Sequence, residues 1–574
     1  MSRSSTSPGS SRSQPPTQTR TSKPDPRPIL LAAKRNVEEV RAILSAYGLR
    51  DPDQADRNLD AMAGDPIQRR RLADILPMLM ESISRTADPD QALNHWERML
   101  GSVSRTFFLD YLGTWPRMLD LLCVIFGNSD ALAFTLIRDP TLVYWLAEEE
   151  VLSRPPTRKG MESALRKGIG HLSSKELKLD ALRRFRRREM LRIGVRDLLR
   201  VATVPETTGL LSDLACLLIH AAYEIVDADL KRQYGVPMHH NRQGRWVETR
   251  FTVIGMGKLG GHELNYSSDV DLIYIYESHG GETRIPRGGH LAVPPGVGIS
   301  NEEYFEILAR ELTRVLIEPT REGHIFRVDL RLRAEGSVGQ LARSLEEYQK
   351  YYAARGQVWE RLALLKASPI AGSQEIGQAF LKRVKPFVLG AGAKMNREVA
   401  SAIVQDVRAV KDMIDAKMTS RGHAQRNVKL GTGGIREIEF FVQTVQVLAG
   451  RKVPALLDRG TLGSLNRLAR KKLLSTEDRD ALIAAYLFLR DVEHKLQMVH
   501  DLQTHSLPAE EEELVRCAIR MGYGVDDRKK AAELFQADHQ RHTEIVHRTF
   551  RSLFVEPTTS PIFNATLRAL GSKL

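Results

Sequence analysis

VIGMGKLGGHELNYSSDVDLIYIYE, Val253 to Glu277, opens as a short apolar strand, turns through glycines and a lysine, and closes in a run that alternates Asp with apolar residues. Asp269 and Asp271 stand two apart, and on a strand, whose side chains alternate faces, both carboxylates point the same way. Downstream, HIFRVDLRLR, His324 to Arg333, reads as a further strand with Asp329 at its centre. Two carboxylates from one strand and a third from its neighbour make an all-oxygen set suited to Mg²⁺, the set that two-metal phosphoryl transfer needs. Gly257, Gly260 and Gly261 permit a tight turn and close approach of backbone N–H groups to phosphate. Lys258 is placed to offset phosphate charge, and Ser267 and Ser268 to donate hydrogen bonds on the way to the first aspartate. Arg331 and Arg333 share the face of Asp329 if the strand is regular; they suit bidentate contact to phosphate, or an ion pair with nearby acids. The glycines have neither P-loop spacing nor the helical run of a dinucleotide fingerprint after them. The ordered set of turn, Ser-Ser-Asp-Val-Asp, helix and Val-Asp-Leu-Arg-Leu-Arg points to a nucleotide and metal site for nucleotidyl or phosphoryl transfer.

Working outward, residues 248–335 are expected to form a small mixed α/β unit. Its strands fall at about 248–255, 270–276 and 324–332, with a crossover helix from Glu302 to a stop at Pro319. A Gly/Pro-rich insertion, GGETRIPRGGHLAVPPGVG, is read as a mobile surface loop. Residues 29–247 carry helical periodicity and form an N-terminal helical domain. Within it RRFRRREMLRIGVRDLLR, Arg183 to Arg200, is either a solvated face or an arm for phosphate or an acidic partner. Residues 336–555 read as a C-terminal helical bundle. There Arg436 and Glu437 follow the glycines of LGTGGIREIEFFVQTVQVL, and Glu439 lies deeper in the same helix. Glu437 suits the helix N-terminus, whereas Glu439, Arg436 and Arg490 are placed at a second-substrate cleft. His423, His494 and His505 are single histidines without metal spacing, read as surface or satisfied core groups. Residues 1–28, rich in Ser, Pro, Thr and Arg, are expected to be disordered, and 556–574 is a tail with one short helix. The fold class is α+β and predominantly helical, with the mixed sheet set between helical domains.

A chain of 574 residues exceeds one core. No apolar run is read as approaching the ~20 residues that cross a bilayer, and no signal-like segment begins the chain, so a cytoplasmic location without membrane contact is the expectation. Cys123, Cys216 and Cys517 are widely spaced, read as buried thiols. The net charge of +13 includes +4 in residues 1–28. The remainder is spread over helices without the basic and aromatic platform that binds single strands, which argues against nucleic acid.

GMGKLGGHELNYSSDVDLIYIY, FRVDLRLR, GTGGIREIEFFVQ and FLRDVEHKLQMVHDLQTHSLP resemble the bacterial glutamine synthetase adenylyltransferase and adenylyl-removing family, over roughly residues 60–555. The resemblance implies a polymerase-β-like nucleotidyltransferase fold, with Asp269, Asp271 and Asp329 as catalytic ligands to divalent metal. Full-length members carry two tandem units. One transfers AMP from ATP to a tyrosine of glutamine synthetase; the other removes it with inorganic phosphate, releasing ADP. PII protein and glutamine set the balance. One such unit is present here, and its IREIEF and THSLP stretches look more like the adenylyl-removing half, whose partner usually reads closer to VDIEF. Ala334 and Gln340 stand where the family commonly has Pro. A truncated product, an excised piece and one half of a split enzyme all fit a single unit. Removal of AMP is the expected activity, transfer of AMP and a non-catalytic module binding glutamine synthetase or PII being the alternatives.

Overall fold

Alternation along two strands explains the layering. The computed structural model describes residues 23–285, 297–390, 395–419, 426–555, 557 and 559–570. Its strands are β1 (Val236–His240), β2 (Trp246–Glu248), β3 (Phe251–Gly255), β4 (Val270–Tyr276), β5 (Glu282–Arg284), β6 (Val328–Asp329), β7 (Ala342–Ser344) and β8 (Ser368–Gly372). The main sheet runs β6-β4-β3-β8, with β7 also on β4; β3 is antiparallel to β4 and β8, while β6 and β7 lie parallel to β4. Val253, Leu272, Tyr274 and Tyr276 enter one core with the Asn301–Ile317 helix and the N-terminal helices. Ile254, Ile273 and Ile275, one residue out of phase, enter another with Tyr348, Tyr352 and Phe380. Period two thus buries both faces. A further core gathers the C-terminal helices around Phe441, Leu489, Phe535 and Phe550.

Several expectations are corrected. The sheet draws on residues outside 248–335: β7 and β8 follow it, and β1 and β2 pair in a smaller sheet with β5, which opens the Gly/Pro-rich insertion as a strand. Residues 286–296 of that insertion lie outside the described residues, as do 1–22, His423 and 571–574. Residues 23–28 pack on the body: Lys23 bonds Glu81 at 3.1 Å, and the Pro28–Leu31 helix buries Ile29 and Leu30. The Pro561–Ala569 helix buries Phe563 and Leu567 in the C-terminal core. The expected strand at 324–332 shrinks to the two residues of β6, because the chain turns out of the sheet after Asp329.

The arginine-rich segment is neither a solvated face nor a free arm. In the Lys175–Leu198 helix, Arg183 is buried and donates to the carbonyls of Val315 and Glu318, both at 3.4 Å, at the end of the Asn301–Ile317 helix. Arg186 lies over the Phe326 ring and Arg196 pairs with Glu206 at 2.9 Å. The Val204–Tyr234 helix is, contrary to the sequence reading, long and apolar enough to cross a membrane, but 72% of that window is buried inside the molecule. It packs against the Lys175–Leu198 and Asn301–Ile317 helices and β8, which accounts for its composition. The Thr476–His500 helix is buried on nearly every side: Arg490, His494 and Gln497 are as enclosed as its apolar stripe. Its Lys495 meets buried Asp197 at 2.6 Å, joining late and early parts of the chain. The three cysteines are free and buried.

Candidate active site

The carboxylates gather where β4 begins. Parallel pairing sets Asp329 of β6 in register with Asp271 of β4, and Asp269 lies two residues before Asp271. Gly257 approaches so closely that a Cβ there would lie 2.5 Å from Asp271 Oδ2, and its φ of +52° is costly for any other residue. Arg327 Nε donates to Asp269 at 2.9 Å. Arg331 Nε donates to Asp329 at 3.0 Å and its backbone N–H does so at 2.8 Å. Burial opposes ionisation of Asp329, but these bonds hold its carboxyl below the usual range. Asp271 has no such partner among the described residues; burial, then the Asp329 charge, pushes its carboxyl up to about 6.

These groups form one wall of a cavity of about 490 Å³ that also holds Gly257, Lys258 and Ser268. The facing wall is the Ile435–Ala449 helix, which presents Arg436, Glu439, Phe440 and Gln443 at helical spacing. Trp359, Lys366, Val410, Ile414, Lys429 and Gln503 also line the cavity. Lys366 Nζ sits 2.8 Å from Glu439 and 2.9 Å from Glu263. Burial disfavours the charge on Glu439, yet Lys366 holds it ionised well below the ordinary carboxylate range. Lys258 pairs with buried Glu493 at 2.7 Å, and His505 Nδ1 lies 2.9 Å from the same oxygen. Burial pushes the Lys258 ammonium down to about 7.

Asp269, Asp271, Asp329, Gly257, Lys258, Ser268, Arg331, Arg436 and Glu439 therefore share the cavity. Ser267 does not: its hydroxyl bonds Asp501 and its N–H donates to Gln497 at 3.2 Å, pinning the approach to the Thr476–His500 helix. Arg333, expected at phosphate, is buried, because the chain turns after β6; it donates to the carbonyls of Leu330, Ser337 and Gly339 at 2.9–3.1 Å. Gly260 is closed to phosphate by backbone, since a Cβ there would lie 2.2 Å from the Lys366 carbonyl oxygen. Gly261 and Arg490 line a separate cavity with Glu263 and Tyr486. Arg490 is fully buried and donates to the Glu263 carbonyl at 2.6 Å, so it braces the glycine turn from behind. Glu437 does not cap its helix: buried, it bridges Lys411 and His547, each at 3.2 Å. Sequence reasoning missed Lys429, Lys366, Gln443 and the Glu493–His505 contact. Lys429 carried a usable signal, as the cation two residues before the first glycine of GTGG.

A hard divalent cation fits the donors by chemistry, as carboxylate oxygen is its preferred ligand. Burial raises Asp271 most, and the Asp329 and Asp269 charges add to it; that added repulsion is what such an ion would relieve. The carboxylates do not converge as a finished cage: among the described residues no group of three or more His, Cys, Asp and Glu is arranged to hold a metal. Arg327 and Arg331 pair with Asp269 and Asp329 there.

A small mixed sheet carrying paired carboxylates, faced by helices bearing cations, defines a nucleotidyltransferase, a class that generally works with divalent metal. Residues 119–383, which contain all three aspartates, match the family model described as glutamate-ammonia ligase adenylyltransferase, and residues 408–554 match that of GlnD PII-uridylyltransferase. The chain is 37% identical over 441 residues to the bifunctional glutamine synthetase adenylyltransferase/adenylyl-removing enzyme of Nitrosococcus oceani, covering 77% of this chain and 43% of that protein. The enzymes of the same name from Thioalkalivibrio sulfidiphilus and Brucella suis are 36% and 35% identical, over 78% and 76% of this chain and 43% and 42% of theirs. The chain belongs to the glutamine synthetase adenylyltransferase family, and it spans less than half the length of these relatives.

Proposed function

We propose that the chain removes AMP from adenylylated glutamine synthetase by phosphorolysis, releasing ADP. The observation that carries this reading is the single cavity in which Asp269, Asp271 and Asp329 face Arg436 and Lys429. Such a cavity suits a phosphoryl group held between opposed charges. The names of the relatives supply the protein substrate, and the IREIEF and THSLP stretches the direction. In the reaction a phosphate oxygen forms a bond to the adenylyl phosphorus while the bond from phosphorus to the tyrosine oxygen breaks. The tyrosinate then takes a proton from water. Phosphate is a competent nucleophile, so no protein base is needed; positioning and charge carry the rate. Mg²⁺ held by the three aspartates would neutralise charge on the transferring group. Arg436 orients phosphoryl oxygens, and Lys366 keeps Glu439 ionised beside it. PII protein and glutamine are the proposed regulators, and the match of residues 408–554 to a PII-modifying family supports the first.

Incubation of the chain with AMP-modified glutamine synthetase, phosphate and Mg²⁺ is the test, with ADP release as readout. No ADP, with a competent control enzyme working, overturns the reading. The relatives' names also carry the forward reaction, in which ATP donates AMP to the tyrosine. Stable label on unmodified glutamine synthetase from labelled ATP, without phosphate-dependent removal, would favour it.

A further inference from the structure

The glycine-rich loop before the Ile435–Ala449 helix is built to hold one side chain in the cleft. Asn427 Oδ1 accepts from the N–H groups of Lys429 and Leu430 at 3.1 and 2.7 Å. The Lys429 carbonyl accepts from Arg436 N–H at 2.9 Å, and Val428 N–H donates to the His505 carbonyl at 2.8 Å. Gly433 has φ +72° and presses on the 528–554 helix: a Cβ there would lie 2.1 Å from the Thr543 carbonyl oxygen. A Cβ on Gly434 would lie 2.9 Å from the carbonyl oxygens of Val428, Lys429 and Gly431. The glycines thus let the loop fold on itself and deliver Lys429 to the cavity wall beside Arg436.

Of the described carboxylates around the cleft only Asp271 lacks a cation of its own, and its charge and those of Lys429 and Arg436 act on one another. Asp269 is taken by Arg327, Asp329 by Arg331, Glu439 by Lys366, and Glu493 by Lys258. Among the described residues Lys429 has no ion pair, and Arg436 approaches a carboxylate only at 3.7 Å from Glu439, its Nε buried without a hydrogen bond. Both side chains are only partly buried, and these two neighbouring cations face one unpaired carboxylate, Asp271, so an added anion would balance the charge left over. The helix terminus does not supply the site. The N–H groups of Ile435, Arg436 and Glu437 are used by the carbonyls of Val428, Lys429 and Gly434, leaving the side chains to bind.

We infer that Lys429 and Arg436 form a subsite for the phosphate that is not transferred, across the cavity from the aspartates that handle the adenylyl phosphorus. The occupant is inorganic phosphate when AMP is removed, and the pyrophosphate part of ATP when AMP is donated. This rests on the reading of the cavity as an adenylyl-handling site, but binding at the subsite is measurable without turnover. Burial, then the Arg436 charge, favours the neutral amine of Lys429, against the opposing pull of Glu493, Glu439 and Asp271.

The test is calorimetric titration of the full chain, in buffer containing Mg²⁺, with inorganic phosphate, pyrophosphate and AMP as separate probes. Lys429→Met should weaken phosphate or pyrophosphate about tenfold or more, while AMP affinity stays within about twofold. Arg436→Gln should act in the same direction. Without anion, Lys429→Met should melt no lower than the parent, since it removes an unpaired cation. Phosphate and pyrophosphate binding unchanged in both variants, equal loss of AMP, or a lower melting temperature of Lys429→Met without anion would each overturn the subsite. Lys429-dependent phosphate binding with no ADP release would uphold the subsite and sink the phosphorolysis reading; Lys429-dependent binding of pyrophosphate alone would uphold it for transfer.

Discussion

Asp271 differs from its two partners in having no cation of its own, and its raised pKa follows from burial and from that lack. Asp271→Asn preserves shape and removes one charge from a crowded set. Turnover should fall about 100-fold or more, and thermal unfolding should show Mg²⁺ stabilising the parent more than the variant. Equal metal-induced shifts and undiminished activity would remove Asp271 from the catalytic set. A purely structural effect is expected far from the cleft at His95, which lies 2.8 Å from Asp130 and is pushed by burial down to about 4. Unfolded, this imidazole takes its proton near pH 6.5. Between the two values the unfolded chain binds more protons, so stability is lost as pH falls from 6.5 towards 4. Across that window the parent should lose about 2–3 kcal/mol more than His95→Gln, read from urea midpoints at several pH values; parallel curves would refute it.

At the scale of elements, β4 was legible because alternation and burial agree along it: its two sets of apolar residues enter two cores. β6 was not, since the HIFRVDLRLR pattern suits a long strand while the chain leaves the sheet after Asp329. Pattern alone does not contain the Arg333 contacts to three carbonyls that hold the turn. The same blindness hid the inward packing of the Arg183–Arg200 segment, where the carbonyl partners of Arg183 lie more than a hundred residues away. The carboxylates of the candidate site could be read from spacing within strands, whereas Lys366 and Lys429 reach it through tertiary packing. The GTGG loop gives a direct test of that packing. Gly433→Ala places a methyl against the Thr543 carbonyl at a positive φ, and should cost about 1–3 kcal/mol. A denaturation midpoint equal to the parent's would mean that the loop is free to rearrange.

For the whole molecule, the question is what makes the catalytic sheet and the C-terminal helices one unit. Their apolar cores are largely separate, and Lys366 stands between them. Its ammonium joins Glu263, next to the glycine turn, to Glu439 of the Ile435–Ala449 helix, and its contact to Thr461 Oγ1 at 3.3 Å adds the start of another helix. All three charged side chains are nearly excluded from water. A buried ion pair need not stabilise against an apolar replacement, because desolvation offsets its attraction, but removing one member strands the other charge. Lys366→Met leaves two carboxylates without their shared cation and should destabilise by about 3–5 kcal/mol. Adding Glu439→Gln should recover part of that loss, since it neutralises one stranded charge; adding the distant His95→Gln should not. The loss should also divide the unfolding. The parent is expected to melt in one calorimetric transition, and Lys366→Met in two, the C-terminal helices first, because their charged tie to the sheet is gone. A single transition for Lys366→Met, at the parent's temperature, would place the coupling elsewhere, with the Lys258–Glu493 pair the next tie to cut.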